Sequence, residues 1–176
     1  MRLLCELSDK MLGIGEAESF EKPYKLRKAA RAVILNEKGK IAYQFLTRPN
    51  LHKLPGGGVD TGETIEEALH REVREEVGYA IENITSIGMT IEYRNQFDLI
   101  QISYAFLARA GENFGEPEFT EEEIADGHTS LWVPIDEAIS LLEADTPTEY
   151  ESHFIKARDL TILRAAQALL VHEPLV

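Results

Sequence analysis

The chain predicts an α/β fold in which one mixed β-sheet carries helices on both faces. Three observations predict it. Strand-like runs and helix-like stripes follow one another along most of the chain. A turn sequence joins two of the runs as a hairpin, so that pair is antiparallel. The helical stripes are one-sided, so each needs a sheet face to cover.

Taken in order, residues 1 to about 25 form a leader of weak periodicity. Ala29 to Leu35 reads as a strand, Asn36-Glu37-Lys38-Gly39 as a hairpin turn, and Lys40 to Arg48 as the partner strand. Pro49-Asn50 breaks that strand, and Lys53-Leu54-Pro55 leads into a glycine loop. Thr64 to Val77 is a helix closed by Gly78. Ile81 to Tyr93 and Leu99 to Ala108 read as two long strands, followed by a loop from Gly111 to Thr120. Glu121 to Asp126 is a short helical turn, Leu131 to Val133 a strand, and Pro134 opens a helix that runs to Leu142. Ile155, Ile162, Leu163, Ala166, Leu169 and Leu170 make the stripe of a last helix. We expect one domain over residues 1–176, with residues 150–176 forming a C-terminal helix packed on it.

The helix at 64–77 carries the most informative pattern. Glu72, Glu75 and Glu76 are spaced i, i+3, i+4, so they point the same way and repel one another. At about 100° per residue, Ile65, Ala68 and Leu69 form an apolar stripe. Glu72 and Glu76 fall on that stripe and Glu75 at its edge, whereas Glu66, Glu67, His70 and Arg74 fall on the solvated side. Unpaired carboxylates facing a core are costly, so something positive must sit against them. Oxygen-only ligands suit a hard divalent cation, Mg²⁺ above all, with Mn²⁺ as the alternative.

The same segment resembles the Nudix box, the signature of the Nudix hydrolases. From Gly57, five residues lead to Glu63, and seven more lead to the run Arg71-Glu72-Val73-Arg74-Glu75-Glu76-Val77-Gly78. Tyr79 departs from the aliphatic residue the family usually has there. The resemblance implies an α/β/α sandwich from about Arg27 to Leu142 and hydrolysis of a diphosphate linkage by water. It implies Glu72 and Glu76 as principal metal ligands, with Glu75 completing the site or holding a second ion. It also implies that Glu63 orients the site with Arg71 as its ion-pair partner, and that Gly57 and Gly58 let backbone approach the phosphates. The general base in many members is a carboxylate before a tryptophan-bearing strand. Trp132 fits that landmark, which leaves Asp126 and Glu122 as candidates, with Glu123 adjacent.

Arg48, His52 and Lys53 flank the glycine loop and are candidates for phosphate contact. Gln101 and Ser103 share one face of their strand and are candidates for a base pocket, and Arg94 with Phe97 for a clamp on the base. Net charge is −13, which disfavours a polyanion such as long nucleic acid. No apolar run reaches membrane-spanning length, and Glu6 and Asp9 come too early for a signal-peptide core. Cys5 is the only cysteine, so a reducing cytoplasm is the expected home. The expected partner is a small nucleotide, with a homodimer left open.

These readings favour a pyrophosphohydrolase acting on a nucleoside triphosphate, with ADP-ribose or a nucleotide sugar as the alternative. A non-catalytic nucleotide sensor of the same family is the rival of another class. An isoprenoid diphosphate isomerase and an interaction domain stand behind it. Cys5 lies far from the box for the first, and the second leaves core-facing glutamates unexplained.

Overall fold

The computed structural model describes residues 1–16 and 23–172, apart from the side chains of Glu122, Glu123 and His172. Strands β1 (Leu3–Ser8), β2 (Lys25–Leu35), β3 (Ile41–Leu46), β4 (Leu51–Lys53), β5 (Tyr79–Arg94), β6 (Leu99–Asn113) and β7 (His128–Val133) form one sheet. Helices are α1 (Asp9–Leu12), α2 (Ile65–Val77), α3 (Glu121–Asp126), α4 (Ile135–Ala144) and α5 (Tyr150–His172). The strand order is β1-β5-β6-β2-β3-β4, with β7 also paired to β3. The pairs β1·β5 and β2·β6 are parallel and the others antiparallel, so the sheet is mixed as expected.

Alternation along β2 builds the two layers. Ala30, Ala32 and Ile34 face α2 and pack with Ala68, Leu69 and Val73. Val33 and Leu35 face the other way and join Tyr43, Leu107, Leu142, Ile162 and Leu163 under α4 and α5. The result is an α/β/α sandwich. Among the described residues, no helix is long and apolar enough to cross a membrane.

Several elements differ from the sequence reading: β2 starts at Lys25 and β7 at His128, ahead of the expected Ala29 and Leu131, and Leu51–Lys53 pairs with β3 as β4. The leader supplies β1, which pairs with β5 some eighty residues away, a partner no local pattern reveals. The strand β6 runs on to Asn113, through the start of the expected loop, because its pairing with β5 continues as far as Tyr79↔Asn113. The box helix matches closely. Thr64 caps it, with Glu67 bonding back to the Thr64 backbone, and Gly78 ends it at φ 78°. Tyr79 then packs edge-on against Trp132 at 5.6 Å.

Candidate functional site

The glycine loop rides on β2 almost as an extra strand. The Ala30 N–H donates to the Gly57 carbonyl (3.0 Å), Ala32 N–H to the Pro55 carbonyl (3.0 Å), and Val59 N–H to the Lys28 carbonyl (3.0 Å). Small residues are required there. A methyl group on Gly56 would lie 3.0 Å from the Ala30 carbonyl carbon and from Arg31 Cα, at a φ of 129° that side chains rarely adopt. A methyl on Gly57 would lie 2.5 Å from the carboxylate carbon of Glu72. The loop and α2 therefore meet at the box glutamates.

Their exposure follows the helical phase. Glu76 is buried, the Glu72 side chain is 12% exposed, and Glu75, at the edge of the stripe, is 45% exposed. Each carboxylate already has a protein partner. Glu76 accepts from the Gly56 N–H (2.5 Å) and pairs with Lys53 Nζ (3.1 Å). Glu72 and Glu75 accept from Arg71 Nη1 at 2.8 and 3.2 Å. Arg71 also forks onto Glu63 (2.9 and 3.0 Å) and donates to the Gly58 carbonyl (2.9 Å). The Glu63 bond is the main reason that Arg71 titrates above its ordinary range. Burial, and then the charge of Glu76, push Glu72 above the usual carboxylate range.

These groups line a cleft of about 330 Å³. Glu72, Glu75 and Glu76 share its lining with Arg27, Arg31, Lys53, Arg71, Thr120 and the glycines Gly56, Gly57 and Gly58. Among the described residues, no three side chains of His, Cys, Asp or Glu converge as a ready-made cage. The donors nevertheless suit a hard divalent cation. They are all oxygens, and the mutual repulsion of Glu72 and Glu76 is what a cation would relieve.

Other expected site residues lie elsewhere. Arg48 and Asp126 pair with each other at 3.3 Å, both well exposed, and neither lines this cleft. Glu122 belongs to α3, but its side chain lies outside the described residues. The Nδ1 of His52 hydrogen-bonds Asp145 at 3.0 Å, and the ring stacks on Tyr43. Gln101 and Ser103 are fully buried, so they form no open base pocket. Both hydrogen-bond the equally buried Glu92. Arg94 is also held there, bonded to Glu92 and Glu151, while Phe97 packs on Tyr150. The expected clamp on a base is therefore absent from this arrangement. Burial opposes ionisation of Glu92, yet Arg158 and Arg94 keep its titration below the usual range. Arg158 also bonds Asp159 (2.7 Å), whose other oxygen accepts from the Leu54 N–H (2.8 Å).

The sequence reading missed Arg27 and Arg31. The signal was there: Arg27, Ala29 and Arg31 alternate onto the face that continues as Val33 and Leu35. A charge on a core-directed strand face calls for the same explanation as a charge on a core-directed helix stripe.

Comparison with known proteins adds the following. A family model for the NUDIX domain matches residues 25–154. The RNA pyrophosphohydrolase of Shewanella sp. (strain MR-7) is 28% identical over 129 residues, covering 61% of this chain and 72% of that protein. The RNA pyrophosphohydrolase of Marinomonas sp. (strain MWYL1) is 38% identical over 58 residues, 33% of this chain and 36% of that protein. The matched stretch thus spans about a third of the length of the first curated relatives. In fold, the chain is similar to a MutT NUDIX hydrolase from Burkholderia pseudomallei, with a TM-score of 0.55 and 22% identity over 76% of this chain and 98% of that one. It is also similar to an ADP compounds hydrolase, with a TM-score of 0.62 and 19% identity over 88% of this chain and 78% of that one.

Proposed function

The chain belongs to the Nudix hydrolase family, and on that premise we propose that it is a pyrophosphohydrolase, dependent on Mg²⁺ or Mn²⁺, acting on a small nucleoside diphosphate derivative. A nucleoside triphosphate cleaved to a monophosphate and pyrophosphate is the first expectation. The observation that carries this reading is the cleft itself, where three box carboxylates and four cationic side chains gather beside a loop of three glycines.

The reaction adds water across a phosphoanhydride. A new P–O bond forms, the bridging P–O bond breaks, and the water's proton passes to a base. A bound divalent cation would lower the pKa of water and offset charge on the phosphate oxygens. Glu72, Glu75 and Glu76 are the residues that would hold it. Arg71 fixes the carboxylates of Glu63, Glu72 and Glu75 relative to one another, which sets donor positions before substrate arrives. Lys53 balances the buried Glu76 charge and lines the cleft where the phosphates lie. Gly57 and Gly58 give the phosphates close approach. Asp126 or Glu122 is the proposed base.

The acidic balance of −13 sets this chain against a long polyanion, so we place the substrate among free nucleotides rather than RNA ends. A panel of canonical and oxidised nucleoside triphosphates, ADP-ribose, nucleotide sugars and dinucleoside polyphosphates, assayed with Mg²⁺, tests the reading. Tight nucleotide binding without hydrolysis would replace it with the sensor.

A further inference from the structure

Arg31 stands in the middle of β2 and is 6% exposed, yet it lines the cleft. Its Nε has no hydrogen-bond partner among the described residues, and a terminal nitrogen donates only to the adjacent Ala30 carbonyl at 3.2 Å. Burial, followed by the charge of Arg158, pulls its titration down to about 9, so it is still a cation at neutral pH. Arg71 spends its donors on carboxylates and Lys53 is paired to Glu76, but Arg31 has donors to spare. A buried guanidinium left this way is costly unless an anion completes it.

The space behind Arg31 is closed. On the same side of the sheet, Glu92, Gln101 and Ser103 have no exposure, and Arg158 and Asp159 of α5 have almost none. Arg158, Asp159, Arg27 and Glu76 are the charged groups acting on Arg31, and the first two belong to that packed layer. A phosphate drawn to Arg31 therefore finds no room for a substituent on the side that faces the core, and any substituent must leave toward the cleft.

We infer that Arg31 receives the free terminal phosphate of the substrate, so that the polyphosphate enters end-on with its nucleoside toward the cleft mouth. This rests on the pyrophosphohydrolase reading of the same cleft and narrows its substrate class. Free-ended nucleoside polyphosphates fit, whereas diphosphates esterified at both ends, such as ADP-ribose and nucleotide sugars, do not.

The test is calorimetric binding, with Mg²⁺ present, of two non-hydrolysable probes. One is α,β-methylene-ADP, with a free end, and the other is the α,β-methylene analogue of ADP-ribose, esterified at both ends. The wild-type chain should prefer the free-ended probe by about tenfold or more, the range of one charge-assisted contact. Arg31→Met should erase the preference and Arg31→Lys should restore part of it. The melting temperature of Arg31→Met should hold or rise, because a poorly partnered buried charge has been removed. Equal binding of the two probes by the wild-type chain would overturn the inference without needing any variant. So would a preference that survives in Arg31→Met, or a melting temperature several degrees lower in that variant, which would mark Arg31 as structural. Hydrolysis of diphosphates alongside equal probe binding sinks this inference alone. Discriminating binding without hydrolysis sinks the pyrophosphohydrolase reading alone.

Discussion

Replacing Gly57 by alanine separates the chemistry of the cleft from the stability of the fold. The added methyl would sit 2.5 Å from the Glu72 carboxylate carbon, where carbon atoms rest at about 3.5–4.0 Å. The carboxylate must therefore withdraw by more than about 1 Å, and its 2.8 Å bond from Arg71 cannot survive unchanged. Gly57 lies outside the left-handed region, so alanine meets no backbone strain there, and Glu72 is the end of a side chain that can turn. The cost to folding should stay within about 1 kcal/mol. Misplacing a metal-holding group by about 1 Å should lower turnover by roughly 10²-fold and weaken divalent-cation binding. The internal standard is Gly56→Ala, whose methyl meets the Ala30 backbone at a left-handed φ and should cost about 2 kcal/mol or more. Turnover with Mg²⁺, Mn²⁺ titration and thermal melting of both variants check this. If Gly57→Ala kept turnover within about threefold, the placement of Glu72 as a ligand would be refuted. The same holds if it melted as low as Gly56→Ala.

Other expectations follow from the same geometry. Glu76→Gln keeps an acceptor for the Gly56 N–H but leaves Lys53 without its counter-charge, so the chain should still fold, melt somewhat lower and lose turnover; a wild-type rate would contradict the metal assignment. Of Asp126→Asn and Glu122→Gln, one should lower kcat by about 10²-fold or more and the other little, and two equally small losses would place the base elsewhere. Glu72 titrates above its ordinary 4.5, so the fold favours its protonated form. Its contribution to metal-free stability is complete below that ordinary value and is lost as pH rises through the raised one. A cation requires the ionised form, so Mg²⁺ should raise the melting temperature most near neutrality and less as pH falls through the raised Glu72 value. Melting curves against pH with and without Mg²⁺ decide this, and a larger effect in acid would contradict it.

The box helix and its acidic face were legible because helical phase is local: the thirteen residues of α2 decide which side Glu72 and Glu76 take. The same holds for the hairpin and for the Gly78 stop. What could not be read needed partners far apart in the chain. The strand β1 exists because β5 is beside it, and Gln101 looked like a pocket residue until Glu92 and α5 closed over it. Arg31 lay between these cases. Its alternation with Val33 was visible, but an arginine on a strand reads as surface until the opposing layer is known.

The ionic layer between the sheet and α5 also bears on how the molecule assembles. Glu92 meets Arg158 at 3.5 Å across 66 residues of chain, so the contact cannot form before the last helix docks. Glu92 already pairs with Arg94 on the same strand, and Arg158 adds a second counter-charge to it only when α5 is in place. A chain cut at Glu149 would keep every residue of the Nudix box, yet lose Arg158 as the counter-charge to Glu92 and Asp159 as the anchor of the Leu54 amide beside the glycine loop. Through those two residues, the last helix reaches both the buried strand and the amide next to the glycine loop.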